Sequence, residues 1–520
     1  MQTLLTWHAS ISDPATVGVV LVLFAVTTQW LLQHPKHYYP LVILTVALPK
    51  LATIGYRNEV ITQVGYIDSS DPGFSLLEIV LVAGIAAAIL GKWWRNPVSR
   101  PCGQVTRAML LWGGSIVASV CVGLLLWYPT YRAANALYVA RYILTLCAFG
   151  VATVVPQRPR SRYDFRAFLS TLWLVGNIVV LLGLIYHLNF GTTGGVGTAG
   201  KILYGREDSL VFRNVMWFFD SGTDMAFFTV LVVLLNLTCL VCWPGLLKKA
   251  VSAIGIILCM LCLALYGQRA GTLVLLVALW RFYADCSKNR LRPQAGLNAL
   301  PAIIVFMGMA LCAWFLFPLV VPDSVVGKFE GSLGVGVDAG SFAAANGVPS
   351  EICAILDRLP LGDFTFRAAF ALSSLFFFFQ HPLGVGFWGE LQVVGWFAHH
   401  EVVKVLVEQG LFGMFAFCLL IWRLRLLLRR PAPGSPRDER EMVVVLRALA
   451  TGLFTALIMA NTVVLDIKFA VLFWTMLGFA AANDTRILRP IGQGGRPARA
   501  VRVSVPVSSS TNDLAPGPLP

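Results

Sequence analysis

Apolar runs of ~18–22 residues recur along almost the whole chain, each long enough to cross a ~30 Å hydrocarbon core as a helix. Such runs lie near 16–33, 38–54, 74–94, 108–128, 136–155, 167–188, 222–242, 250–267, 270–283, 298–321, 404–424, 445–465 and 468–483. The pattern predicts an all-α polytopic membrane protein of about 12–13 transmembrane helices. The second run contains Pro49 and Lys50, and the last two are separated by Asp466 and Lys468. The first run has no Lys or Arg before it and no small-residue cleavage site after it, which reads as a retained span.

The polar stretches divide the chain. Residues 1–188 form an N-terminal bundle, and 189–321 carry further spans with an Arg-bearing outer loop. Residues 322–403 are the longest outer loop, 404–483 the last spans, and 484–520 a Pro-, Gly-, Ser- and Arg-rich end expected to be disordered. Composition agrees, with 57% hydrophobic and 13% charged residues and a mean hydropathy of +0.74.

A net charge of +14 raises the question of nucleic acid until its placement is followed. With the N-terminus outside, alternate connections are basic: Lys92 to Arg107, Arg158 to Arg166, Lys248 and Lys249, Arg281 to Arg292, Arg423 to Arg447, and Arg486 to Arg502. About two thirds of the Lys and Arg residues fall on that side, as the positive-inside rule requires. The charge therefore reads as topology plus anionic lipid, not nucleic acid. Cysteines placed at Ser341 and Ser508 are expected to label from opposite sides of the membrane. Labelling of both by an impermeant reagent in intact cells would overturn this sidedness.

Eleven cysteines give no disulfide framework, since Cys353 alone lies in an outer loop. The Cys239/Cys242 and Cys259/Cys262 pairs have CxxC-like spacing but sit within apolar runs, where they read as small core residues. No metal-ligand pattern and no internal repeat appears.

Candidate chemistry concentrates on the outer side. The segment 381–413, HPLGVGFWGELQVVGWFAHHEVVKVLVEQGLFG, places a His pair where a loop re-enters an apolar helix, ahead of a Gly-Leu-Phe-Gly turn within that helix. Ionisable groups at a membrane boundary cost free energy unless they pair, meet water or bind something. Arg206 and Arg213 flank the end of a Gly-rich loop, Arg269 sits at a turn between two runs, and Arg358 and Arg367 precede His381. Basic residues on the translocated side oppose the topology rule. Converging guanidinium groups suit a diphosphate, which they grip in bidentate fashion while staying charged. The competing account for each is snorkelling or an ion pair with Glu207, Asp208 or Asp357. Gly410 and Gly413 also make a small-xxx-small surface suited to helix packing. Lys404 and Glu408 are spaced as a structural i,i+4 pair, and the phenylalanines 376–379 read as a stretch along the membrane surface.

These residues resemble the O-antigen ligase and O-antigen polymerase superfamily of bacterial envelope enzymes. The family's ligase motif is His, then Asn, Ser or Gln, nine residues, Gly, two residues and Gly. Here His399 takes the first place, His400 the second, 401–409 are the nine, and Gly410 and Gly413 close it. His400 departs from the usual amide or hydroxyl. The family's Arg, apolar helix and His-Pro-Leu-x-Gly-x-Gly is similar to Arg367 through Gly386, and its Ser-Arg-Gly turn to Gln268-Arg269-Ala270-Gly271. Arg213, ahead of FFDSGTDMAFF, resembles the Arg opening another family span. The likeness covers about the C-terminal 60% of the chain.

The resemblance implies a glycosyltransferase of the inner membrane, with a GT-C-like helical fold and a periplasmic active site. It would move a glycan from a polyprenyl diphosphate to a hydroxyl acceptor without metal or other cofactor. On that footing His399 handles the acceptor proton, while Arg213 and Arg269, with Arg367 and Arg206, hold the diphosphate as negative charge builds on it. His381 shapes its turn, His400 sits beside the catalytic imidazole, and Gly384 and Gly386 supply tight backbone turns. The acceptor is a growing O-antigen or exopolysaccharide chain for a polymerase, slightly favoured, or lipid A-core for a ligase. A lipid-linked glycan flippase is the reading from another class. It would use the same outer cations but calls for ionisable groups near mid-membrane.

Overall fold

The computed structural model describes residues 14–48, 53–54, 74–95, 100–127, 135–155, 165–190, 222–266, 269–288, 343–344, 347–358, 363–387, 389–394, 400–429, 437–459 and 467–482. Their architecture is helical: α1 Pro14–Gln33, α2 Tyr38–Val46, α3 Leu76–Leu90, α4 Arg100–Leu126, α5 Asn135–Val154, α6 Phe165–Phe190, α7 Gly222–Cys242, α8 Leu246–Tyr266 and α9 Arg269–Lys288. Further on come α10 Ser350–Arg358, α11 Asp363–Gln380, α12 Glu390–Val393, α13 Glu401–Leu427, α14 Arg437–Met459 and α15 Ile467–Ala482. Two two-residue strands, Thr53–Ile54 and Phe74–Ser75, pair antiparallel with Thr53 opposite Ser75.

Five of these helices are long and apolar enough to cross a membrane: Gly103–Leu126, Phe165–Ile185, Met225–Cys242, Leu246–Leu263 and Glu401–Leu427. Their outer faces carry Leu110, Leu125, Ile254 and Phe415 in the open, an apolar exterior that suits hydrocarbon and not water. In α7 the stretch from Met225 to Leu235 is apolar except for Thr229 and is buried on every face. It packs against α6, α8, α9 and α14. α4 pairs with α13, α5 with α15, and α9 with α14.

Polar pairs fix the helices where lipid offers no hydrophobic contrast. Asn236 of α7 and Asn177 of α6 exchange hydrogen bonds at 3.0 and 3.1 Å, and Trp173 Nε1 donates to Asn236 Oδ1 at 2.7 Å and to Ser252 of α8 at 3.0 Å. Arg281 of α9 and Arg447 of α14 close on the buried Asp285 at 2.9 and 3.3 Å. The four cysteines of the two CxxC-like pairs are all core residues.

The expected span at 38–54 is not one helix. α2 has nine residues, about 13 Å of rise, and ends ahead of Pro49, while Thr53 and Ile54 are extended. Proline lacks the donor that would carry the helix onward. The remaining expected spans coincide with helices, except 298–321, which lies outside the described residues. The 322–403 segment includes α10, α11 and α12, so its described part is largely helical. Of the phenylalanines 376–379, Phe379 is exposed but Phe378 is buried on α11, against Val385 and Val407.

Candidate functional site

α13 is broken one third of the way along. Gly410 has φ 67° and ψ −165°, far from helical values, although helix continues on both sides. In an unbroken helix the Val407 carbonyl would accept from Leu411 N–H. Here Leu411 N–H donates instead to Pro382 O at 3.2 Å, and Val407 O accepts from Val385 N–H at 2.9 Å. Glu408 O takes Gly386 N–H at 3.0 Å. The His-Pro-Leu-Gly-Val-Gly turn thus satisfies the backbone groups that the break exposes, in a setting where none can be left unpaired.

Two glycines make this interlock possible. A Cβ on Gly410 would lie 2.5 Å from Pro382 O, and one on Gly384 2.7 Å from Glu408 O. Gly384 also has φ 86°, as Gly386 has φ 99°, conformations that side chains rarely tolerate. The turn is held from the far side by α4: Ser119 Oγ accepts from Phe387 N–H at 3.1 Å, and Trp127 Nε1 donates to Gly384 O at 3.4 Å. His381 continues the last turn of α11, donating its N–H to the Phe377 and Phe378 carbonyls. Its ring lies edge-on to Trp127 with centroids 5.0 Å apart and tilted over Phe377 at 4.6 Å. Gly413 follows the break, where a Cβ would run into the Gln409 side chain.

The interlock fixes the half-helix 401–409, whose N-cap is His400 in extended conformation. Burial holds the half-buried His400 imidazole below its ordinary pKa, so the ring is neutral at neutral pH. Behind it one face of the half-helix is polar yet buried: Glu401, Lys404, Glu408 and Gln409 are all 5% exposed or less. Lys404 Nζ lies 4.0 Å from Glu408 Oε1, and Ser115 Oγ of α4 donates to Gln409 Oε1 at 3.2 Å. Glu401 interacts electrostatically with Lys404, Glu408 and Tyr142 of α5. Glu401 Oε2 and the Tyr142 hydroxyl are buried with no hydrogen-bond partner among the described residues. Tyr142 stands between the rings of Trp112, 5.5 Å away, and Phe387, 5.3 Å away. Further along α13, Trp112 and Phe417 border a small apolar crevice of about 50 Å³ that α14 and α15 complete with Leu453, Phe473 and Trp474.

The structure brings His381, Gly384 and Gly386 together with Gly410, while His400 caps the same half-helix and Gly413 follows the break. His399, Arg206 and Arg213 lie outside the described residues. Arg269 opens α9 and Arg367 lies in the second turn of α11, with only their backbones described. Comparison with models of known protein families finds no match. No curated protein matches the chain either.

Glu401 and Tyr142 were not singled out by the sequence, where Glu401 counts only as a spacer between His and Gly. Its signal is the spacing 401, 404, 408, which puts three ionisable groups on one face of an apolar helix. An ionised carboxylate buried without donors costs several kcal/mol. Glu401→Gln is therefore expected to leave the thermal midpoint of the purified protein unchanged or raised. If the midpoint falls as it would on losing a buried ion pair, Glu401 is a structural partner of Lys404.

Proposed function

We propose that the chain is a glycosyltransferase of the bacterial inner membrane that moves a polyprenyl-diphosphate-linked glycan onto a hydroxyl acceptor at the periplasmic face. The observation that carries the reading is the interlock between the 381–386 turn and the break at Gly410. It accounts physically for the His-Pro-Leu-Gly-Val-Gly and Gly-Leu-Phe-Gly elements on which the family resemblance rests. It also presents the start of α13, with His400 at its cap and His399 next to it in sequence, on a rigid base. The half-helix carries polar groups, and a small apolar crevice lies further along α13. A diphosphate joined to an isoprenoid chain has the same two halves.

In the proposed reaction the acceptor O–H breaks, its oxygen bonds to the anomeric carbon, and the bond from that carbon to the diphosphate oxygen breaks. His399 takes the proton, and Arg213 and Arg269, with Arg367 and Arg206, hold the departing diphosphate. The residues need no metal for this step. Polymerase is favoured over ligase because the position after His399 and the Ser-Arg-Gly element are both altered.

One observation favours the flippase as a second reading: Glu401, Lys404 and Glu408 are ionisable groups buried within a span. Glu408 lies seven residues into α13, about 10 Å along the axis and short of the bilayer centre. That depth suits a site entered from one face. Radiolabel transfer from a lipid-linked glycan by the purified protein separates the two, and translocation without transfer would sink the enzyme reading. Deleting the gene and resolving envelope polysaccharide on a gel separates polymerase from ligase. Single repeats on the final acceptor indicate a polymerase; long chains left on the carrier lipid indicate a ligase.

A further inference from the structure

At the far end of α7, away from the candidate site, the fold gathers cations that the described carboxylates do not match. α7 ends at Cys242 and α8 begins at Leu246, joined by a short Trp243-Pro244-Gly245 connection. Arg437, opening α14, grips this connection: its Nη2 donates to Cys242 O at 2.9 Å and its Nε to Glu441 Oε1 at 3.2 Å. Trp243 Nε1 donates to Glu441 Oε2 at 3.0 Å. Both oxygens of Glu441 are engaged, and Arg437 balances its charge.

Three further cations bear on the same place. Lys248 and Lys249 of α8 and Arg166 of α6 all act electrostatically on Cys239, and Arg166 also acts on Glu441. None of the three side chains has a hydrogen bond or ion pair with a described residue. Lys248 and Lys249 sit in the first turn of a 21-residue helix, where their charge opposes the helix dipole instead of complementing it. Beside them Leu246 is 85% exposed and Leu247 79% exposed. Unmatched positive charge thus adjoins two projecting leucines, at the ends of two helices long and apolar enough to cross a membrane.

We propose that Arg166, Lys248 and Lys249 bind the phosphate headgroup of an anionic phospholipid, with Leu246 and Leu247 set among its acyl chains. The leucines select an amphiphile over a free anion, since a soluble phosphate gains nothing from them. Cations presented by different membrane-spanning helices at one membrane face are a recurring means of holding such headgroups. Guanidinium and ammonium groups together neutralise a phosphate whose remaining oxygens face water. The site is independent of glycan transfer, and its test needs no activity.

The test uses full-length protein in neutral detergent, titrated with phosphatidylglycerol or phosphatidylcholine and followed by native mass spectrometry. The wild type should bind phosphatidylglycerol in preference, and molar salt should release it. The triple variant Arg166→Gln/Lys248→Gln/Lys249→Gln should bind it about a hundredfold more weakly, the loss of three cations near the surface. Arg425→Gln/Arg429→Gln removes two exposed charges at and just past the end of α13 and should bind as the wild type does. Equal binding by the triple variant, or equal loss in the control pair, overturns the site. Displacement of the lipid by millimolar inorganic phosphate overturns the choice of a lipid. The salt release on unmodified protein keeps the test decisive if the triple variant misfolds.

Discussion

Gly410→Ala is expected to abolish most properly folded protein, whatever its effect on chemistry. The backbone at 410 lies in a region that costs a side-chain-bearing residue ~1–3 kcal/mol. The new Cβ would also press on Pro382 O at 2.5 Å and on the Leu383 carbonyl group at 2.7 Å. Those atoms are backbone and belong to the turn whose hydrogen bonds complete the broken helix, so relief by movement breaks the bonds at Pro382 O, Val407 O and Glu408 O. Those three bonds lost at ~1–3 kcal/mol each, added to the strain, consume a large fraction of a total stability of ~5–15 kcal/mol. Gly384→Ala should behave alike, because its Cβ would meet Glu408 O from the opposite side of the same contact. Gly114→Ala, on a helix face with nothing within 4 Å, should be neutral or slightly stabilising. The check is monodisperse yield and thermal midpoint of the three variants side by side. A Gly410→Ala protein as stable as Gly114→Ala would contradict the interlock.

The helical spans were legible in the sequence because one property, apolar length, both defines and stabilises them. α7 is the clearest case, with the expected 222–242 matching its bounds. Where breakers and charges intervene, length misleads. The 38–54 run is apolar across Pro49, yet α2 stops at Val46. The Gly-Leu-Phe-Gly turn was also legible, because glycine spacing inside an apolar helix is local information. Its partner was not: the groups that steady the 381–386 turn, Ser119 and Trp127, stand 268 and 257 residues from their partners in the chain. The same holds for Tyr142 beside Glu401, and for the Asn177–Asn236 pair. Polar residues scattered singly through apolar runs look like tolerated exceptions until packing brings them together. For Arg206, Arg213, Arg269 and Arg367, sequence supplies the charges and an expected sidedness, but convergence on one ligand is a tertiary property.

In a properly inserted protein, the largest effects on transfer should come from His399→Ala and Arg269→Lys. If Arg213 and Arg269 hold the diphosphate, an ammonium in place of a guanidinium keeps the charge and loses the planar fork. Losing one contact on developing negative charge should cost ~10²–10³ in rate, by analogy with lost oxyanion donors. His399→Ala should reduce transfer similarly while leaving protein level and binding of the lipid-linked donor nearly intact, if it acts on the acceptor side as proposed. His400→Asn places there the residue usual in the family that the segment resembles and should be tolerated. It should also alter the response to acid in a defined direction. His400 is held below its ordinary pKa by burial, so between a pH of about 6.5 and that lowered value the unfolded chain binds a proton that the folded one does not. Stability therefore falls on acidification through that range, and His400→Asn should remove this contribution. Transfer lost in His400→Asn but kept in His399→Ala would reassign the base to His400. Full activity in both His399→Ala and Arg269→Lys would leave the segment as scaffold alone, and the catalysis would have to be sought elsewhere on the outer face.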